Sequence, residues 1–246
     1  MSDIVYPSAP GFPWALTMRW SDLLFAHWPM DPALVRAALP KTSPPLELDL
    51  WEGSAWLGIV PFRMSGIRWR WLPPVPGTEA FPELNVRTYV RVNGRPGVWF
   101  FSLDASSKLA VRVARVTFNL PYFDADISVE SLTPGPWTRY QSRRTHRGGG
   151  EAELEVTYTP QGDPFEAAQG TLENWLTERY RLFAADRNGR VRRGEIQHVP
   201  WPLQRATAHF GTLNMTRWLG WDLPDQPPHL LYARELSVKA ARPVAA

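Results

Sequence analysis

The sequence predicts an α+β protein, mainly antiparallel β, formed as one domain over residues 1–246. Three observations lead there. Residues 83–92 alternate with period two, Leu84, Val86, Thr88, Val90 and Val92 on one side and Glu83, Asn85, Arg87, Tyr89 and Arg91 on the other. Asn93-Gly94 then turns the chain into the apolar run 98–103, a β-hairpin signature. The 25 Pro residues fall between apolar runs, as in many short strands with stiff connections. No regular alternation of strand and helix suggests a parallel nucleotide-binding sheet.

The elements follow in chain order. Asp31-Pro32 caps and opens a short helix over 31–39. Leu46, Leu48 and Leu50 alternate with polar residues before the Glu52-Gly53 turn, so a hairpin with 55–62 is expected. Residues 69–82, aromatic and Pro-rich without a period, read as an ordered loop or lid. Ser106 begins a helix to residue 118, with Leu109, Val113 and Val116 on one side. Strands flank Pro134-Gly135-Pro136, and 151–158 alternates through Ala152, Leu154, Val156 and Tyr158. Thr171 caps a helix read as running to 185, closed by Asn188-Gly189. Late strands are expected near Ile196, over 206–213 and over 230–238.

Composition excludes several classes. Cys is absent, so disulfides, thiolate metal sites and Cys nucleophiles are excluded. No stretch approaches the ~18 apolar residues of a membrane span, and 1–20 lacks the charged and apolar regions of a signal peptide. A cytoplasmic protein without membrane association is expected. The net charge is only +3. The pI of about 9.4 reflects a small excess of Arg in a chain without Cys, which disfavours nucleic acid as a partner. The densest basic cluster, Arg143, Arg144, His146 and Arg147, runs into Gly148-Gly149-Gly150 and reads as a mobile, solvated hairpin tip. Nucleotide-binding, metalloprotease and nucleophile-elbow motifs are missing; no cofactor and no metal are expected.

Four features bear on chemistry. Arg179 falls amid Leu172, Trp175, Leu176, Tyr180 and Phe183 on a wheel of about 100° per residue, so it should be buried and paired, most simply with Glu83 or Asp104. It is either a structural ion pair or an anion-binding Arg at a pocket. The polar face Glu83, Asn85 and Arg87 is either the solvent side of a sheet or the wall of a cavity. Lys108, one of three lysines, opens a helix with Arg112 one turn on; that charge lowers an amine pKa, Asp104 nearby raises it, and a solvated helix start is the plain alternative. His198, in His198-Val199-Pro200-Trp201-Pro202, is a pocket wall or a structural His.

Several strings occur together and in order: 60–63 (VPFR), 82–90 (PELNVRTYV), 97–105 (GVWFFSLDA), 120–122 (LPY), 176–183 (LTERYRLF) and 198–204 (HVPWPLQ). In this order they resemble the YqjF-like family of bacterial proteins, over roughly residues 23–208. That family is similar in plan to acetoacetate decarboxylase. The resemblance implies a curled antiparallel β-barrel or cone around a central cavity with a few outer helices. Such decarboxylases form a Schiff base on a Lys beside a second Lys, with a Glu and an Arg in the pocket. Glu83 sits where the strand Glu is expected and Lys108 near the paired lysines; Ser107 precedes Lys108, so the pair is missing.

Catalytic roles are therefore expected, if anywhere, at Lys108 and Glu83, with ligand contacts from Asn85, Arg87, Arg179 and His198. The expectation is a protein that binds a small carboxylate or keto compound in a barrel cavity. The alternative is a lyase of acetoacetate-decarboxylase type with Lys108 as its amine. A homo-oligomer is left open.

Overall fold

The computed structural model describes residues 12–71 and 80–246. The chain enters through β1 (Trp14–Met30), its longest strand, which sequence periodicity did not reveal. Asp22 adopts a left-handed φ of 53° and shifts the strand's register, breaking the alternation. Helix α1 (Pro32–Ala38) follows, its N-cap Asp31 accepting from the Ala33 N–H. The expected hairpin of 46–50 with 55–62 does not form. Trp51 and Ser54 exchange backbone bonds around Glu52-Gly53, but β2 (Glu47–Leu48) pairs with β4 (Ala80–Val92) instead of β3 (Ala55–Trp69). Within the expected loop over 69–82, Trp69 ends β3 and Ala80 begins β4; residues 72–79 lie outside the described residues.

β4 and β5 (Arg95–Ala105) form the expected hairpin, with Asn93 and Gly94 both at positive φ, 51° and 74°. Helix α2 (Lys108–Phe118) is capped by the Ser107 side chain. Then come β6 (Tyr122–Leu132), β7 (Trp137–Arg144) and β8 (Glu153–Phe165). The helix expected over 171–185 is a correction. Only α3 (Leu172–Thr177) is helical, and β9 (Arg181–Ala185) is a strand. β9 runs parallel to β5 and antiparallel to β10 (Val191–Gln197). It packs so closely that a Cβ on Gly97 of β5 would lie 2.6 Å from the Phe183 ring. That packing overrides a pattern that fits a helical wheel equally well. β11 (Leu203–Leu213), β12 (His229–Ala241) and β13 (Val244–Ala245) complete the chain.

The strands close on themselves twice. One ring runs β4-β5-β6-β7-β8-β11-β12-β1-β3 and back to β4. The other leaves it at β5 and returns at β12 through β9 and β10. Strands β12, β1, β3, β4 and β5 therefore belong to both rings, and β4 is buried on both faces over 83–86. On β4, Leu84 and Val86 enter the packed core with Leu24, Leu57, Ile59, Tyr140 and Tyr158. Glu83 and Asn85 are buried on the opposite face. A polar strand face that would ordinarily meet solvent is thereby enclosed in the second ring.

The cluster at 143–147 is also corrected in part. Arg143 and Arg147 are exposed, but Arg144 is completely buried. It donates from Nε and Nη2 to the two carboxylate oxygens of Asp104 at 2.5 and 2.8 Å, and from Nη1 to the Gly149 carbonyl. The glycines serve this packing rather than a free tip: a Cβ on Gly149 would lie 2.9 Å from Phe123 and 3.0 Å from Arg144. His146 binds Asp124 at 2.9 Å, and Arg112 grips the same carboxylate with two nitrogens.

Candidate functional site in the second ring

A cavity of about 210 Å³ occupies the second ring. Its walls are inward residues of β1 (Trp20, Leu23, Phe25), β3 (Val60, Phe62, Met64) and β4 (Phe81, Glu83, Asn85, Arg87), with Leu109 and Phe118 of α2, Leu182 of β9, and Trp201. Trp20 and Leu23 can both face inward because the Asp22 bulge lies between them. Trp201 stacks on Trp20 at 6.0 Å and meets Phe25 edge-on at 5.1 Å. Apart from a few side chains the lining is hydrocarbon.

Those few side chains form two poles along β4. Glu83 and Arg87 lie four residues apart on one strand face, about 13 Å at the usual strand rise. At the first pole Glu83 is buried and accepts the Tyr122 hydroxyl at 3.0 Å. Burial raises its pKa from an ordinary 4.5 to about 8, the Tyr122 bond opposes this and the Asp104 charge adds to it. Glu83 is therefore a neutral acid at pH 7, able to donate its proton in a hydrogen bond. Midway, the buried Asn85 leaves its Oδ1 without a partner.

The second pole is cationic. Arg179 is buried as expected, but its partner is Asp49, at 2.6 Å from Nη1, rather than Glu83 or Asp104. Asp104 is taken by Arg144, and Glu83 is held neutral by burial. Arg179 also donates to the Trp175 carbonyl at 2.5 Å, lies over the Trp175 and Tyr89 rings, and leaves Nη2 unpartnered. Arg91 shares Asp49, at 2.8 Å. Arg87, half-buried over the Phe25 and Tyr89 rings, forms no ion pair among the described residues. Its Nη2 makes only long bonds, 3.3 Å to the Leu176 carbonyl and 3.4 Å to the Tyr89 hydroxyl, and its buried Nε has none. Two guanidinium groups thus share one carboxylate, and the third, Arg87, has none among the described residues. The Tyr89 hydroxyl donates to the Leu176 carbonyl at 2.9 Å and contacts His27 Nε2 at 2.7 Å. With its proton so committed, Tyr89 must accept from His27, which is held neutral by burial and by the Arg87 charge.

The structure brings Glu83, Asn85, Arg87 and Arg179 together, and leaves two expected residues outside. Lys108 is exposed at the first position of α2 and does not line the cavity; Arg112, its supposed second charge, is engaged by Asp124. Lys41 and Lys239 are exposed as well. His198 sits on an outer groove, stacked on Tyr180 at 4.6 Å, its Nδ1 against the Val199 carbonyl. Burial lowers its pKa to about 4. From that aromatic turn it is Trp201 that enters the cavity. Sequence reading missed Tyr122, His27 and Asp49 as partners of the site. For Tyr122 and Asp49 the only signal was a polar group inside a strand or loop with apolar neighbours.

The model of an uncharacterized conserved family, DUF2071, matches residues 17–237. The chain belongs to the DUF2071 family. Uncharacterized protein YqjF of Bacillus subtilis (strain 168) is 44% identical over 231 residues, 94% of this chain and 92% of that protein. Among solved structures, an acetoacetate decarboxylase-like enzyme from Sphingomonas wittichii RW1 superimposes with a TM-score of 0.64 at 12% identity, over 100% of this chain and 99% of that one. Acetoacetate decarboxylase from Legionella pneumophila gives 0.63 at 13%, over 100% and 94%. The enduracididine biosynthesis enzyme MppR, complexed with the condensation product of pyruvate and imidazole 4-carboxaldehyde, gives 0.63 at 14%, over 97% and 92%. At such identities the likeness establishes the fold: this DUF2071 protein has the acetoacetate decarboxylase-like architecture. Among the described residues no helix is long and apolar enough to cross a membrane.

Proposed function

We propose that this DUF2071 protein binds a small carboxylate or keto compound in the second-ring cavity. One observation carries the reading: among the described residues Arg87 faces an apolar cavity with no carboxylate partner and an unpartnered Nε. A guanidinium held away from water is costly unless paired, and a carboxylate from solution supplies the missing partner. Arg179 Nη2 stands ready to share it. The ligand's remaining oxygen, a ketone or hydroxyl, would meet the neutral acid of Glu83 or the amide of Asn85. Likeness to an enzyme captured with a pyruvate-derived product supports a small-molecule cavity without identifying its occupant.

Schiff-base chemistry at Lys108 is the weaker reading. The amine would have to leave solvent at the start of α2 to reach a cavity it does not line. Borohydride trapping with a panel of β-keto acids is expected to leave the protein's mass unchanged; an adduct on Lys108 would reverse this preference. The binding reading is tested by thermal melting with short carboxylates and keto acids. Wild type should gain stability with ligand concentration. The same gain in Arg87→Gln would contradict the role given to Arg87.

A further inference from the structure

Resting on that reading, we infer that the ligand is a monocarboxylic acid with a hydrocarbon tail, of about eight heavy atoms in all, its carboxylate at Arg87 and its tail directed along β4 toward Glu83. Three observations lead to this.

The first is size. A cavity of about 150 Å³ lined by aliphatic and aromatic side chains holds benzene, about 25 Å³ for each heavy atom. On that scale about 210 Å³ holds about eight. The second is polarity. Between the poles and beyond Glu83 the walls are Phe62, Met64, Phe81, Leu103 and Phe118. The one polar side chain between the poles, Asn85, could meet a single oxygen but not compensate the desolvation of a polar chain, whereas each buried methylene is worth a factor of about four in affinity. The third is charge. Among the described lining residues, unpaired positive charge occurs at one end only. The other cation on the lining, Arg181, is paired with Glu195 at 3.4 Å, and the far pole is the carboxyl group of Glu83 backed by Asp104. A second carboxylate on the ligand would face that carboxyl without a counter-charge. One negative end and one apolar end fit; two negative ends do not.

Calorimetric titration of the intact wild-type chain with straight-chain acids from acetate to decanoate tests this, with 1-hexanol and adipate as controls. Affinity should rise about fourfold per methylene and stop rising near hexanoate to octanoate. Hexanoate should exceed 1-hexanol by about tenfold or more, the usual worth of a charge-assisted bond, and adipate should bind more weakly than hexanoate. Carboxylate binding that does not change with tail length, or adipate binding as well as hexanoate, would overturn the tail inference and leave the carboxylate site standing. Hexanol binding as well as hexanoate, or no acid binding at all, would overturn both.

Discussion

Arg144 and Arg87 both project into the interior of a closed sheet, one into each ring, and they meet opposite company. Arg144 in the first ring has a bidentate carboxylate, a carbonyl on its third nitrogen and the faces of Phe123 and Trp218, at 4.2 and 5.1 Å from its guanidinium carbon. Arg87 in the second ring has two aromatic faces, two long hydrogen bonds and a cavity. The first ring is filled with Tyr140, Tyr158, Val156 and Leu154; the second is left partly empty. Where the protein needs an interior charge for its own architecture it supplies the counter-charge. The absence of one at Arg87 among the described residues is what supports the proposal of a binding compartment in the second ring.

Substitution separates the two arginines most visibly. Arg144→Ala leaves Asp104 buried and unpaired, and should cost about 3–5 kcal/mol in urea unfolding, the range for breaking a buried pair. Arg179→Ala strands Asp49 less completely because Arg91 still reaches it, so its loss should be smaller than that of Arg144→Ala. A loss at Arg144 below about 1 kcal/mol would remove the contrast.

Glu83 sharpens the contrast through pH. Its folded-state pKa is raised to about 8 from 4.5. The unfolded chain therefore releases this proton from pH 4.5 upward, whereas the folded chain keeps it until about pH 8. Folding gains most at or below the unfolded value, and that advantage is lost as pH rises toward the folded one. Wild type should lose about 3 kcal/mol relative to Glu83→Gln between about pH 5.5 and 8. His27, His198 and His229 have lowered pKa values and so contribute the opposite slope, losing stability as pH falls below 6.5. The difference between the two proteins cancels that contribution. Parallel stability profiles for wild type and Glu83→Gln would mean that Glu83 is ionised when folded.

The smallest effect is expected at Lys108. It is exposed, so Lys108→Ala should change stability by less than about 0.5 kcal/mol and leave carboxylate binding intact. Loss of binding in that variant would bring the helix start back into the site.

Much of the enclosing wall was legible from local pattern. The alternation over 83–92, the Asn93-Gly94 turn and the strands flanking Pro134-Gly135-Pro136 each depend on a few neighbouring residues, and each forms. What failed depended on distant partners. Residues 172–183 satisfy a helical wheel, yet 181–185 become strand because the Gly97 and Gly194 surfaces accept Phe183 and Leu182 closely. Arg179 was correctly expected inside, although the wheel that put it there describes a helix ending two residues earlier. Its partner Asp49 lies 130 residues away, and nothing in the sequence links the two. Arg144 was hidden by the glycines beside it, which read as a free loop and instead wrap the guanidinium.

Arg87 is proposed to be left unpaired for a ligand's carboxylate. The most direct measurement is calorimetric titration of hexanoate into wild type and into Arg87→Gln, each checked by urea unfolding. Arg87→Gln should fold within about 1 kcal/mol of wild type, since no ion pair is broken, and bind hexanoate about tenfold or more weakly. An Arg87→Gln protein that binds hexanoate as tightly as wild type, or one that unfolds as Arg144→Ala does, would contradict it.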